Sequence, residues 1–509
     1  MNHFIKISLL LFAGLQLISC YKDKGNYSYS DINQPASWGL DTAYTFYQGD
    51  RLKITPKLVW TQDASYDTSR YTYSWESITN INSAGRMDLS YSRNLDTTSI
   101  LAPSDYYVYY KVMDKKTGVK WQNRFIMHVK TTTYEGWMLL TDLGGTSRLD
   151  MLSKITSGWN KIIDVFKFTN SNYPDALNGA PKFVRCWYAK PNSSANFPAY
   201  GITVSTANGT TRVDPETFAW KPIFTIGSEF LTNIPSGFYA TSLVSPVKNS
   251  AVIQGNDDNV YTYYNAWSVF YGLPVNILSA APYNETKPFR TSPYIAQNPN
   301  DIGYDAFCMF DKDKRRFLMT DMISSSSRPL QTIPGAYFDF NNVQKDLVWM
   351  AYAKNPSPSG NIYAILKDTA AANYYFTYFN FAAFPAVTVN QQMFQQISLS
   401  AATDIDKATN FCVSPVYEYT FYSVGGKVYS YNYVSNKSLL MLDFGSKTVS
   451  LMQFDSNNNL QVFASDAGAP ATSGIFDTYT VMPVQGPLQL VEHIDGLGRV
   501  VSASYRKRP

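Results

Sequence analysis

From about residue 134 to the C-terminus the chain repeats one unit: a polar or glycine turn followed by a β-branched or aromatic strand. The unit reads Asp258-Asn259-Val260-Tyr261-Thr262-Tyr263, then Gly360-Asn361-Ile362-Tyr363-Ala364-Ile365, then Gly426-Lys427-Val428-Tyr429-Ser430-Tyr431. Self-similarity on this scale marks an array of small β-sheets. A further copy, Asp313 to Met319, fills the gap between the first two, and weaker copies stand at Gly145 to Leu149, Gly209 to Val213 and Gly496 to Val500. Taking Leu149, Val213, Tyr261, Phe317, Tyr363, Tyr429 and Val500 as equivalent gives seven units spaced by 46 to 71 residues. That length holds four short strands and their loops, the content of one propeller blade. Residues 132–509 are therefore expected to form a β-propeller of seven blades. A hairpin at Asp455-Ser456-Asn457-Asn458-Asn459-Leu460 would make eight, and the irregular spacing also permits a pair of β-sandwiches. Ring closure removes the exposed sheet edges of an open array, and the strand around Gly136-Trp137-Met138-Leu139-Leu140 is the expected partner of the C-terminal strands.

Residues 34–131 read as a separate sandwich, so the fold class is all-β. Arg51-Leu52-Lys53-Ile54 and Tyr71-Thr72-Tyr73-Ser74-Trp75 alternate as half-buried strands do. Tyr107 to Asp114 leads through a Lys115-Lys116-Thr117-Gly118 turn into a last strand, Trp121 to Val129. Aromatic residues make up 16% of the chain, with 39 tyrosines. A flat apolar ring with a polar tip suits half-buried strands and also surfaces that grip sugars or peptides.

The first twenty residues have a different purpose. Lys6 precedes the apolar run Ile7 to Leu15, which is shorter than the ~20 residues that span a bilayer, and the stretch closes on Leu17-Ile18-Ser19-Cys20. Residues 1–19 are read as a signal peptide. Leu-Ile-Ser-Cys resembles a bacterial lipobox, which implies lipidation of Cys20 and anchorage to a membrane. Buried acyl chains contribute ~0.8 kcal/mol per methylene, so a doubly acylated terminus stays put. Residues 20–33 then form the lipidated terminus and linker. The remaining Cys186, Cys308 and Cys412 are odd in number and scattered, which favours free core cysteines over a bridge.

Cys20-Tyr21-Lys22-Asp23-Lys24-Gly25-Asn26-Tyr27-Ser28-Tyr29 resembles the start of the PKD-like lipoproteins of Bacteroidota, and the tryptophan and tyrosine pattern of residues 34–131 is similar to an immunoglobulin or PKD-like domain. The Trp-Asp-Phe-Gly-Asp-Gly signature of true PKD repeats is missing, so the likeness concerns fold. It implies an accessory lipoprotein of an uptake locus, partnered by a SusC-type TonB-dependent transporter and a SusD-type lipoprotein at the outer membrane, facing the cell exterior.

Motifs that carry chemistry are scarce. His128 and His493 stand apart, without the spacing of a zinc site, and no Gly-x-Ser-x-Gly elbow or phosphate-cradling loop occurs. Asp311-Lys312-Asp313 and Asp455 to Asn459 sit between strands, where Asp and Asn are ordinary turn residues; the second lacks the Gly and Glu of a calcium loop. No catalytic residue, metal or cofactor is assigned. A net charge of +4 without a basic stripe argues against nucleic acid. Ligand binding is left to aromatic residues in or beside predicted loops, with Trp187, Trp220, Trp267 and Tyr271 as candidates. The expected role is capture of a glycan or peptide for the importer. The alternatives are a surface hydrolase using carboxylates of the propeller funnel and an adhesin.

Overall fold

The computed structural model describes residues 31–63, 67–79, 85–98, 101–156, 158–189, 200–245, 250–264, 270–298, 306–354, 360–382 and 387–507. They fall into two compact units that divide between Lys130 and Thr131. No helix among them is long and apolar enough to cross a membrane.

The first unit is a β-sandwich. Its larger sheet runs in the order β2 (Ala43–Tyr47), β9 (Lys120–Lys130), β8 (Ser104–Asp114), β5 (Tyr71–Thr79), β6 (Met87–Ser90), with β2 parallel to β9. Two small sheets, β1 (Pro35–Ser37) with β4 (Val59–Trp60) and β3 (Arg51–Ile54) with β7 (Leu95–Thr98), complete the unit. Alternation along β8 points Tyr106, Val108, Tyr110 and Val112 into the core. There Trp75 is fully buried, its ring 4.2 Å from that of Tyr110, and its indole N–H donates to the Ser92 carbonyl. A buried tryptophan on a central strand beside a tyrosine-rich strand is what the sequence pattern predicts.

The second unit is a β-propeller of seven sheets. Blade one joins the two ends of the unit: β10 (Gly136–Asp142), β11 (Ser147–Ile155) and β12 (Gly158–Ile162) pair with β35 (Arg499–Arg506), which supplies the innermost strand. Blade two holds β13 (Pro181–Tyr188), β14 (Tyr200–Thr206) and β15 (Gly209–Val213); a single bridge between Thr211 and Thr225 stands where a fourth strand would lie. Blade three is β16 (Ala240–Val244), β17 (Ser250–Gly255) and β18 (Val260–Tyr264). Blade four is β19 (Ala296–Asn298), β20 (Ala306–Asp311), β21 (Arg316–Asp321) and β22 (Arg328–Pro329). Blade five is β23 (Lys345–Ala353), β24 (Asn361–Asp368), β25 (Tyr374–Ala382) and β26 (Thr388–Ile397). Blade six is β27 (Asn410–Val413), β28 (Tyr419–Val424), β29 (Lys427–Asn432) and β30 (Lys437–Asp443). Blade seven is β31 (Thr448–Phe454), β32 (Leu460–Ser465), β33 (Gly474–Thr480) and β34 (Gln489–Leu497). Innermost strands pack side by side: β35 on β13 and β31, β13 on β16, β19 on β23, β27 on β23 and β31. Separate apolar cores fill the spaces between blades, and the Tyr363, Phe376, Tyr431 and Tyr433 cluster joins blades five and six.

Two of the seven sequence markers stand out of register. Leu149, Val213, Tyr261, Phe317 and Tyr429 lie on third strands, but Tyr363 lies on the second strand of its blade and Val500 on the innermost strand of blade one. The third strands they should mark are β25 and β33. The cause is that a turn followed by an aromatic strand serves every hairpin of a blade equally well. For the same reason the hairpin at Asp455 to Leu460 is the first turn of blade seven, not an eighth blade.

The entry end of the ring, where the innermost strands begin, carries a recurring clamp. A cation at or just before the innermost strand meets an Asp at or just beyond the end of the second strand: Arg499 with Asp142 at 3.9 Å, Lys345 with Asp368 at 2.6 Å, Lys447 with Asp466 at 2.7 Å. Both acidic clusters of the sequence are turns as expected. Asp311 accepts the Asp313 and Lys314 amides, and Asp455 accepts those of Asn457 and Asn459.

Candidate functional site

Three of the four aromatic candidates fall within the described residues, and two of them present no open face. Trp187 and Tyr271 are buried between blades two and three, a correction to their expected place on a binding surface. Trp187 sits on β13, under the Arg212 guanidinium 4.6 Å from its ring centre, and its indole N–H donates to Thr203. Arg212 in turn pairs with buried Glu229. Burial still holds the Glu229 carboxyl above the usual carboxylate range, and it pushes the Tyr271 hydroxyl up strongly, because neither charge has water to solvate it. Trp220 is half-buried and donates to the Thr211 hydroxyl. Trp267 and Cys20 lie outside the described residues. Cys186, Cys308 and Cys412 are free, Cys308 buried and the other two half-buried, and burial raises all three thiols.

A cleft of about 790 Å³ lies where blade seven meets blade one, at the exit end of the ring. Deep in this interface the two sheets touch through Leu139, Leu152, Phe463, Phe476 and Ala503, with the Phe463 and Phe476 rings stacked 4.6 Å apart. Toward the exit end the sheets part into a wedge. Period two sets both walls, because each continues the face that is apolar deeper in.

On blade one the wall is aromatic. Tyr505 and Trp137 are direct partners across β35 and β10, their rings in edge-to-face contact at 5.1 Å, and Trp159 on β12 is paired with Lys154 on β11. The Tyr505 hydroxyl donates to Glu135 at 2.5 Å, and Lys154 reaches the same carboxylate at 3.2 Å.

On blade seven the wall is polar and crosses four strands in register: Gln453 opposite Gln461, Gln461 opposite Thr478, Thr478 opposite Glu492. The Gln453 amide donates to Gln461 at 3.0 Å. Thr478 is only 4% exposed, and among the described residues its buried hydroxyl has no hydrogen-bond partner. A buried hydroxyl left unpaired costs free energy comparable to a lost hydrogen bond. Burial raises the Glu492 carboxyl above the usual range, while the Trp159 indole N–H, which donates to it, pulls the other way. Two smaller hollows, about 520 Å³ on the sandwich and about 470 Å³ between blades one and two, have no buried unpartnered polar group among their lining residues.

None of the wedge residues was a ligand candidate from sequence, although Trp137 was marked for ring closure. The readable signal is local: Gln461 shares a strand face with Phe463, and Thr478 with Phe476, so a polar group stands where alternation demands an apolar one.

Residues 20–181 match the model of the PKD-like family. The match begins at Cys20 and runs past the sandwich and through β10 to β12 of blade one, ending where β13 begins. No curated protein matches the chain. Among solved structures, a quinonprotein alcohol dehydrogenase-like protein of Bacteroides thetaiotaomicron is 12% identical over 94% of this chain and 100% of its own, with a TM-score of 0.40. A puromycin-hydrolyzing peptidase of Mycobacterium tuberculosis is 10% identical over 71% of this chain and 53% of its own, with a TM-score of 0.36. The β-propeller domain of Myceliophteria thermophila Cps50 is 10% identical over 57% of this chain and 94% of its own, at 0.29. At these identities and scores the ring of seven sheets rests on its own strand pairing.

Proposed function

We propose that this chain is an exported lipoprotein, anchored through Cys20, whose propeller captures a glycan or peptide for a SusC/SusD-type importer. The observation that carries the capture role is the wedge between blades seven and one. One wall offers flat aromatic faces and the opposite wall a row of amides, a hydroxyl and a carboxyl, of which the hydroxyl is buried and unsatisfied among the described residues. A concave site with apolar surface and a few convergent polar groups is what small-ligand recognition requires, and its volume falls in the usual range. The lipidated terminus and the importer partnership are supported by the lipobox at Leu17 to Cys20, the resemblance of residues 20–29 and the PKD-like match. No role is assigned to the propeller fold as such, since one architecture hosts many activities.

The decisive experiment is a pull-down of the full chain from its native membrane in mild detergent, read by mass spectrometry. Co-purification of a SusC-like barrel and a SusD-like lipoprotein in comparable amounts is the expected result. Recovery of the chain alone, under conditions that keep other transporter complexes together, would sink the importer role.

A further inference from the structure

We infer that the wedge between blades seven and one takes a neutral sugar unit, stacked on Trp159 and hydrogen-bonded by Gln453, Gln461 and Thr478. This inference rests on the capture role proposed above and narrows its ligand from glycan or peptide to uncharged carbohydrate.

Three features carry it. The first is the pairing of wall chemistries. A pyranose ring has apolar C–H faces and a rim of hydroxyls that both donate and accept. It therefore needs a flat, electron-rich surface on one side and groups of mixed donor and acceptor character around its edge. The half-buried Trp159 and Tyr505, with Trp137 behind them, supply the first. Gln453, Gln461 and Thr478, in register across three strands, supply the second. Each amide carries a donor and an acceptor, and the unpartnered Thr478 hydroxyl does both.

Charge is the second feature. The lining holds Glu135, Asp455 and Glu492 against Lys154 and Lys507. Glu135 is already taken by Lys154 and Tyr505, and Asp455 by its own turn. No arginine stands among the wedge's lining residues to grip a carboxylate or sulfate in a fork, and two lysines stand against three carboxyls, so the lining carries no excess of positive charge to draw an acidic polysaccharide.

The third feature is what the walls expose. Gln453, Gln461 and Thr478 belong to strands whose backbones are paired within blade seven. Inside the wedge a ligand therefore meets side chains, whereas an extended peptide is typically held by main-chain hydrogen bonds to a free strand edge.

The test uses the full chain purified in detergent, with tryptophan fluorescence and calorimetry as readouts. The probes are maltohexaose, cellohexaose and mannohexaose, with polygalacturonate as the anionic probe and a casein hydrolysate as the peptide probe. At least one neutral oligosaccharide is expected to bind saturably and to change tryptophan emission. Trp159→Ala should weaken that binding by about tenfold or more, since it removes the stacking surface. Thr478→Val, which keeps shape and fold, should weaken it by roughly three- to tenfold, the worth of a hydrogen bond. Neutral-sugar binding untouched by both variants would overturn the site, and binding of polygalacturonate alone would overturn the ligand class. Peptide binding that falls in Trp159→Ala would overturn the sugar assignment and leave capture in the wedge intact. Silence with every probe would overturn both.

Discussion

Single polar residues in this chain have opposite fates according to the partner that folding delivers. Asp114, at the end of β8, receives two hydrogen bonds from the Arg70 guanidinium, at 3.0 and 2.5 Å, and one from the Lys116 amide. Arg70 first, and the Lys116 amide after it, hold its carboxyl well below the usual carboxylate range against the cost of burial. A carboxyl with a depressed folded pKa contributes stability that is present in full above its unfolded value, about 4. The contribution is lost as pH falls from there through the folded value. Asp114→Asn should therefore unfold at a lower temperature than the wild type at pH 7, and the two melting points should converge on acidification below pH ~3. A constant gap across that range would refute the coupling. Glu492 lies on the other side of the balance, with a carboxyl raised by burial against the opposing pull of the Trp159 indole. None of this is legible in sequence: Arg70 and Asp114 stand 44 residues apart, and nothing in either neighbourhood names the other.

At the scale of elements, the strand that matters most is β35. It pairs with β10 along its whole length, lies innermost in its blade, and touches both neighbours, β13 and β31. Its last residue, Arg506, is fully buried, donating to the Thr133 and Pro215 carbonyls with its guanidinium 5.2 Å from the Phe218 ring centre. Ending the chain after Gly498 removes this strand and leaves the edge of β10 and the cores around Leu139 and Met138 open to water. The truncated protein should lose the cooperative thermal transition of the propeller and aggregate, as calorimetry and size-exclusion chromatography would show. A transition preserved at the wild-type temperature would mean that closure is dispensable. The sequence foretold the pairing of β10 with the C-terminal strands because an unpaired edge on a long array is costly. It misplaced Tyr363 and Val500, because turn chemistry tells where a strand starts but not which of four positions it takes.

For the molecule as a whole, the expectation that depends least on folding is the membrane anchor. Cys20→Ala should move the protein from the membrane to the soluble fraction, since it removes the thiol that would carry the acyl chains. Fractionation followed by detection of the chain decides it, and a variant that stays with the membrane would point to a second attachment. The sequence by itself determined that the folded body is nearly all β, that a small sandwich precedes a repeat array, and that the array closes on its C-terminal strand. Those properties follow from period-two alternation, from turn residues and from the cost of open edges, all of which are local or additive along the chain. The tertiary structure alone decided which aromatic rings are core and which are surface. Trp187 and Trp159 stand in similar strand contexts, yet one is covered by Arg212 and blade three while the other borders a cleft. It also decided that Gln461 and Thr478, buried polar residues in otherwise apolar rows, line the same gap between blades as Trp137 and Tyr505. That gap exists because twisted sheets packed in a ring touch deep in their interface and part toward one end, a consequence of how whole blades meet.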